Sequence, residues 1–289
     1  MPRSQSPRLF CITHAYLSDT NAVLETACAA RGIDIAWVLP DTFVHDARRA
    51  PRAGDLLYRA AAGIAADRIE RLLWRPDVAA FYADPFFECA AQSIWMQRCG
   101  VAMPRTAFSV PRDREALARA ADSLGGFPLV LKVPGGEGGT GVLRADSLAA
   151  LFSLIDYVPA SAVLMEYVEH TRAYRLIVVG EQVVAAEARH PGPFDFRTNS
   201  AGNVALGAVR APAKAKRLAL AAARALKFEF GGADVLEAAD GRMVLAEFNF
   251  PCHFADQQAE GGIDIAGAMI DYLLAKSTAL MRGTKKKRG

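Results

Sequence analysis

Residues 232–250 read GADVLEAADGRMVLAEFNF, two apolar runs on either side of the dipeptide Asp240-Gly241. Asp-Gly between such runs signals a β-hairpin, because a tight hairpin turn needs residues that tolerate positive φ. A two-residue turn sets Ala239 opposite Arg242 and, counted back along both strands, Asp234 opposite Glu247, with Cβ atoms about 5 Å apart. Asn249 lies two residues beyond Glu247, and the strand period of two returns it to the same face. Two carboxylates opposed among Ala233, Val235, Leu236, Val244, Leu245 and Phe248 weaken the sheet, shift a pKa, or need a cation between them. Hard oxygen donors of this kind suit magnesium or manganese shared with phosphate groups. A longer turn gives the other outcome: the register slips by one and one carboxylate faces solvent.

Upstream, residues 134–141 read PGGEGGTG and hold five glycines after the apolar run LVLKV at 129–133. Backbone so poor in side chains can approach a polyphosphate closely. The pattern is neither a Walker A loop nor a dinucleotide fingerprint, and its structural alternative is a surface hairpin tip. Lys132, with apolar neighbours on either side, calls for an anionic partner, of which phosphate is the economical one. An edge strand with Lys132 facing water is the alternative. By spacing alone, Arg175 and Arg197 are two arginines among many. His14, His170, His190 and His253 show no metal spacing, and no nucleophile elbow is present, which excludes the common hydrolase triads.

At 289 residues the chain has room for two domains of about 150 residues or one large α/β unit. With 52% hydrophobic and 22% charged residues it is neither disordered nor fibrous. No apolar run is long enough to span a bilayer and the N-terminus carries no apolar export segment, so a soluble, cytoplasmic protein without a membrane partner is expected. The five cysteines, Cys11, Cys28, Cys89, Cys99 and Cys252, are odd in number and widely spaced, which points to reduced thiols, mostly in the core. The net charge of +3 is concentrated in Lys285, Lys286 and Lys287, read as a frayed basic tail over 281–289, and no nucleic-acid partner is expected.

The first third alternates strand and helix patterns: strands at 9–13, 33–39 and 55–58, helices at 19–31 (capped by Asp19) and 64–73, then a helix at 85–99. This is a βαβ-like α/β domain over 1–87. From 88 to 280 the pattern becomes α+β: a helix at 113–124, a strand at 128–133, a helix opened by Asp146, and a strand at 162–168. Hairpins follow at 174–189 and 232–250, with helices at 213–226 and 263–274. The second region divides into 88–170 and 171–280.

Taken together, LVLK at 129–132, the glycine loop, MEYV at 165–168, DFRTN at 195–199, GAD at 232–234, EFN at 247–249 and GIDIAG at 262–267 resemble the RimK-like branch of the ATP-grasp superfamily in order and spacing. The resemblance implies a small pre-ATP-grasp α/β domain followed by a two-subdomain ATP-grasp fold. In it 88–170 forms the lid and adenine subdomain, and 171–280 the metal and catalytic subdomain. It places ATP between the two, Lys132 on the phosphates, and Gly135, Gly136, Gly138, Gly139 and Gly141 folding over them. Glu166 and Val168 meet the adenine edge through backbone groups with Tyr167 between them. Asp234, Glu247 and Asn249 hold Mg2+ or Mn2+, and Arg175, Arg197 and Asn199 contact the phosphates and serve catalysis. The implied reaction joins a small-molecule or peptide carboxylate to an amine, such as an amino acid, through an acyl phosphate.

The chain departs from the pattern at Cys89, where a first nucleotide-binding lysine is usual, at Ala173, where an acidic residue near the nucleotide's sugar is usual, and at Phe250-Pro251-Cys252-His253, which replaces a small-Pro-Gly sequence. Two other readings stay open on the sequence: a nucleotide-binding module that has lost ligation, and a kinase with the same ATP half. Related enzymes are often dimers or tetramers, so a homo-oligomer accords with the resemblance, although the sequence shows no interface signal.

Overall fold

The computed structural model describes residues 6–46, 50–84, 92–133, 139–192, 195–197 and 204–286. A parallel sheet opens the chain. β1 (Arg8–Ile12) lies between β2 (Asp34–Val38) and β3 (Leu56–Arg59), and Ala79 extends the sheet by bridging in parallel to Leu56. α1 (Ser18–Ala29) crosses from β1 to β2, and α2 (Ile64–Leu73) follows β3, as the alternation of apolar runs predicts. Asp19 is not the cap of α1. Leu17 occupies that position and Asp19 sits inside the first turn, where a carboxylate favours the helix dipole. The helix expected at 85–99 is described as α3 (Gln92–Arg98), its first part lying outside the described residues, and Gly100 turns the chain out of it at φ 78°.

A second sheet is antiparallel. It contains β4 (Thr106–Ala107), β5 (Leu129–Lys132), β6 (Val142–Ala145) and β7 (Val163–Glu166) in the order β4-β7-β5-β6. α4 (Arg114–Ser123) and α5 (Leu148–Ile155) cover one face, where Leu117, Leu129, Leu131, Leu151 and Leu164 share a core. Asp113 caps α4 by accepting from Ala116 N at 2.8 Å. α5 is capped by Ser147, whose hydroxyl accepts from Ala150 N at 3.2 Å, and not by Asp146. β5 is an interior strand, so Lys132 does not sit on an edge.

The third sheet joins β8 (His170–Val179), β9 (Gln182–His190), β10 (Val204–Ala208), β11 (Phe230–Ala238) and β12 (Met243–Asn249) in the order β10-β9-β8-β11-β12. β4 and β10 are short and carry no alternation that marks them in the sequence. α6 (Ala213–Leu226) packs on β11 and β12 through an alanine face, Ala215, Ala219, Ala222 and Ala223 being buried. One core runs from Phe10, Ile12 and Leu57 of the parallel sheet to Leu176, Ala219 and Leu245, so the first and third sheets pack as one body.

After α7 (Ala255–Gly261), α8 (Ile265–Lys286) runs well past the expected end at 274, and residues up to 286 are helical where a frayed tail was expected. Packing explains it: buried Ser277 donates to Gly54 O at 2.6 Å, and Met281 packs beside Gly54. No helix among the described residues is long and apolar enough to cross a membrane. Cys11, Cys28 and Cys252 are buried free thiols, Cys99 is exposed rather than in the core, and Cys89 lies outside the described residues.

Candidate active site

The decisive hairpin does not turn as the Asp-Gly dipeptide suggests. Ala238 N donates to Arg242 O at 2.9 Å, closing a turn of three residues, Ala239 to Gly241, with Gly241 at φ 80°. The ladder next to it is accordingly slipped by one, pairing Leu236 with Val244 and Val235 with Leu245. Ala246 then bulges out of β12. The bulge cancels the slip, and Asp234 faces Glu247, Ala233 faces Phe248 and Gly232 faces Asn249. Both the longer turn and the opposed carboxylates are therefore real.

The two carboxylates are neutralised by the protein's own cations. Arg175, directly opposite Asp234 on β8, donates from Nη1 to Asp234 Oδ2 at 2.7 Å. Lys132 reaches across from β5 and places Nζ 3.3 Å from Glu247 Oε2. The Asn249 amide completes the set: oriented so that each end meets a complementary partner, its nitrogen donates to Glu247 Oε1 at 2.9 Å and its oxygen accepts from Arg175 Nη1 at 3.1 Å. Burial works against the Arg175 charge, but Asp234, through both its charge and its hydrogen bond, together with Cys252 and Glu247, outweighs it, so the guanidinium is held above its usual range. Lys132 is thus paired although partly exposed, and Arg175, undistinguished by spacing, is more buried than Lys132 or Arg197.

The cleft lies between the second and third sheets. Lys132, Val142 and Met165 line one wall, and Arg175, Asp234 and Glu247 the other. Val168 and Tyr167 close one end. Glu166 N donates to Arg105 O at 2.9 Å, the Glu166 carboxylate pairs with Arg105, and Val168 O pairs with His170 Nδ1 at 2.8 Å. The Tyr167 ring is stacked under the Arg144 guanidinium at 4.5 Å and meets Phe196 edge-on at 5.8 Å. At the other end Arg197 is clamped by Asp195 through three contacts of 2.7–3.1 Å and donates from Nη1 to Gly139 O at 2.9 Å. That bond ties the loop after β9 to the end of the glycine loop. Gly139 and Gly141 have φ near 80°, which the turn back into β6 requires. Gly135, Gly136, Gly138 and Asn199 lie outside the described residues.

Three residues that spacing alone did not single out also line or shape the cleft. Arg189 is held by Glu187 at 2.7 Å, with Glu187 buried opposite Arg175, and His170 lines the wall near Val168. The signal that marks the pair is the alternation along β9, which puts Glu187 and Arg189 on the face shared with Arg175. Ala173 is buried at the same wall.

The family model for the RimK-like ATP-grasp domain matches residues 91–273, most of the chain and all of this cleft. The chain belongs to the RimK-like ATP-grasp family. It is 34% identical over 184 residues to a probable alpha-L-glutamate ligase of Serratia proteamaculans, covering 62% of this chain and 60% of that one. It is 33% identical over 189 residues to the ribosomal protein bS6--L-glutamate ligase of Escherichia fergusonii, covering 63% and 62%. The match thus spans about three-fifths of the length of these curated relatives. Among solved structures, the ATP-grasp ligase PsnB, complexed with a phosphomimetic variant of its minimal precursor, Mg and ADP, superposes with a TM-score of 0.69 at 18% identity, over 94% of this chain and 99% of that one. The mixed α/β architecture is therefore the ATP-grasp fold.

In this ATP-grasp cleft Gly232 leaves room for Arg175: a Cβ built there meets the guanidinium carbon and Nε at 2.8 Å. Gly232→Ala is expected to push Arg175 off Asp234 and, under the ligase reading proposed below, to lower turnover by about tenfold with the far-UV spectrum unchanged. Wild-type kinetics in that variant would show that the guanidinium has slack.

Proposed function

We propose that the protein is an ATP-dependent ligase that joins a carboxylate to an amine and releases ADP and phosphate. The observation that carries this reading is the convergence of Asp234, Glu247 and Asn249 on one face of a hairpin, opposite Lys132 and beside Arg175. No cluster of three His, Cys, Asp or Glu occurs among the described residues. Two carboxylates and an amide are an all-oxygen set, which fits magnesium or manganese rather than zinc. A divalent cation bound there supplies charge neutralisation for the polyphosphate and for the phosphoryl group in flight.

The chain's own residues have distinct tasks. Lys132 leaves Glu247 for the β- and γ-phosphates when nucleotide enters, while the amides of Gly139 and Gly141, with Gly135, Gly136 and Gly138, cradle them. Glu166 and Val168 present backbone groups to the adenine edge beside Tyr167. Arg175 and Arg197, with Asn199, neutralise the transferring phosphoryl group. The carboxylate substrate attacks the γ-phosphorus and ADP departs; the amine then attacks the acyl carbon and phosphate departs. The names of the glutamate-ligase relatives support, for this chain, a carboxylate on a peptide or protein and the amine of an amino acid such as L-glutamate as the substrate pair.

Calorimetry with ATP, with and without magnesium, is the first test, and magnesium-dependent binding is the expected result. ADP release with a glutamate-terminated peptide and hydroxylamine should then yield a hydroxamate. ADP release without hydroxamate indicates phosphotransfer to another acceptor, and binding without any ADP release indicates a module that has lost ligation. Lys132→Ala should weaken ATP binding by about 1.5–3 kcal/mol, the worth of a charge-assisted contact. An unchanged dissociation constant would remove Lys132 from the phosphate site.

A further inference from the structure

Arg59 is an unusual residue to find inside the parallel sheet. It is the last residue of β3, the strand that Ala79 flanks through a single bridge at Leu56, and is 4% exposed. Its Nε donates to Glu70 Oε2 at 2.6 Å and its Nη1 to Ala61 O at 3.1 Å, which fixes the guanidinium plane on two sides. Glu70 is itself 2% exposed. A buried pair of this kind gains little over well-packed apolar residues, so stability alone does not account for it. Nη2 takes no hydrogen-bond partner among the described residues and is not among the fully occluded donors.

The place of this open donor matters. In open parallel sheets ligands bind outside the carboxyl ends of the strands, and Arg59 stands at such an end. Its guanidinium lies over the Phe250 ring, 5.4 Å from the centroid, and Phe250 follows Asn249 directly. The same segment reaches α1, the helix that joins β1 to β2, at His253, whose Nδ1 is 3.4 Å from Thr20 Oγ1. The parallel sheet therefore presents one pre-oriented cation to the stretch of chain that leaves the Asp234-Glu247-Asn249 set.

We propose that Arg59 anchors the α-carboxylate of the amino acid whose amine is ligated, with Nη2 as the donor and Glu70 as the residue that holds the fork in place. This rests on the ligase reading above and adds a subsite to it. An arginine suits the task because its planar fork matches a carboxylate and it is charged at every relevant pH. Stacking on Phe250 couples the anchor to the position of Asn249, so the amine is presented at a set distance from the phosphoryl-transfer centre.

Calorimetry on the full chain with saturating ADP and magnesium tests the assignment, with L-glutamate as the probe. Arg59→Gln is expected to weaken L-glutamate binding by at least about tenfold while leaving ADP affinity unchanged. L-Glutamate α-amide, which lacks the α-carboxylate, should bind the wild-type protein as weakly as L-glutamate binds the variant. That comparison needs no mutant and decides the question if Arg59→Gln does not fold. Equal affinity of glutamate and its α-amide for the wild type, equal glutamate affinity in Arg59→Gln, or no glutamate binding by a wild type that binds ADP would each overturn the assignment. Failure to bind ADP at all would overturn the ligase reading instead.

Discussion

Asp234→Asn and Glu247→Gln are each expected to lower ligation, read as ADP release with peptide and L-glutamate, by at least about a thousandfold, equivalent to about 4 kcal/mol of barrier. Each change keeps the shape of the side chain and removes one negative oxygen donor from the set that also contains Asn249. The fold should survive both. Glu247 loses only the partly exposed contact to Lys132, a kind of pair worth about 0–1 kcal/mol. Asn at 234 still offers an oxygen to Arg175 Nη1, so the melting temperature should move by only a few degrees. Magnesium-dependent nucleotide binding should weaken in both variants, and full turnover in both would sink the metal assignment.

The hairpin that carries this prediction shows what sequence reading captures and what it misses. The opposition of Asp234 and Glu247 was legible because strand alternation is strict and the Asp-Gly dipeptide marks the turn. Its route was not. The three-residue turn shifts the register and the bulge at Ala246 shifts it back, and alanine carries no signature of a bulge. The opposed carboxylates are paired by Arg175 and Lys132 from β8 and β5, partners the sequence did not show, because no spacing along the chain relates those strands to β12. The same limit hid Glu187 beneath Arg189 and the packing of Ser277 and Met281 that lengthens α8. The first sheet was legible almost residue by residue because its strands and helices alternate with clear periods.

Arg175→Met is expected to produce the second large effect, and to act on stability and on turnover by separable routes. The guanidinium is tucked between Asp234 and the Asn249 amide, with a side chain only 19% exposed. Removing it strips the cleft of a cation more buried than Lys132 or Arg197, and under the proposed ligase reading the loss of one pre-oriented donor to the transferring phosphoryl group should cost about a hundred- to a thousandfold in rate. It also leaves Asp234 facing Glu247 with Lys132 as the nearer cation of only one of them, which should destabilise the fold by about 2–4 kcal/mol. The double variant Arg175→Met with Asp234→Asn separates the two. With the unpaired charge gone, urea midpoints should recover most of the loss, whereas turnover should stay at or below that of either single variant. If stability in the double variant falls by the sum of the single effects, the Arg175–Asp234 pair is not coupled and Arg175 supports the sheet through packing alone. If turnover returns with stability, the arginine serves the fold and not the chemistry.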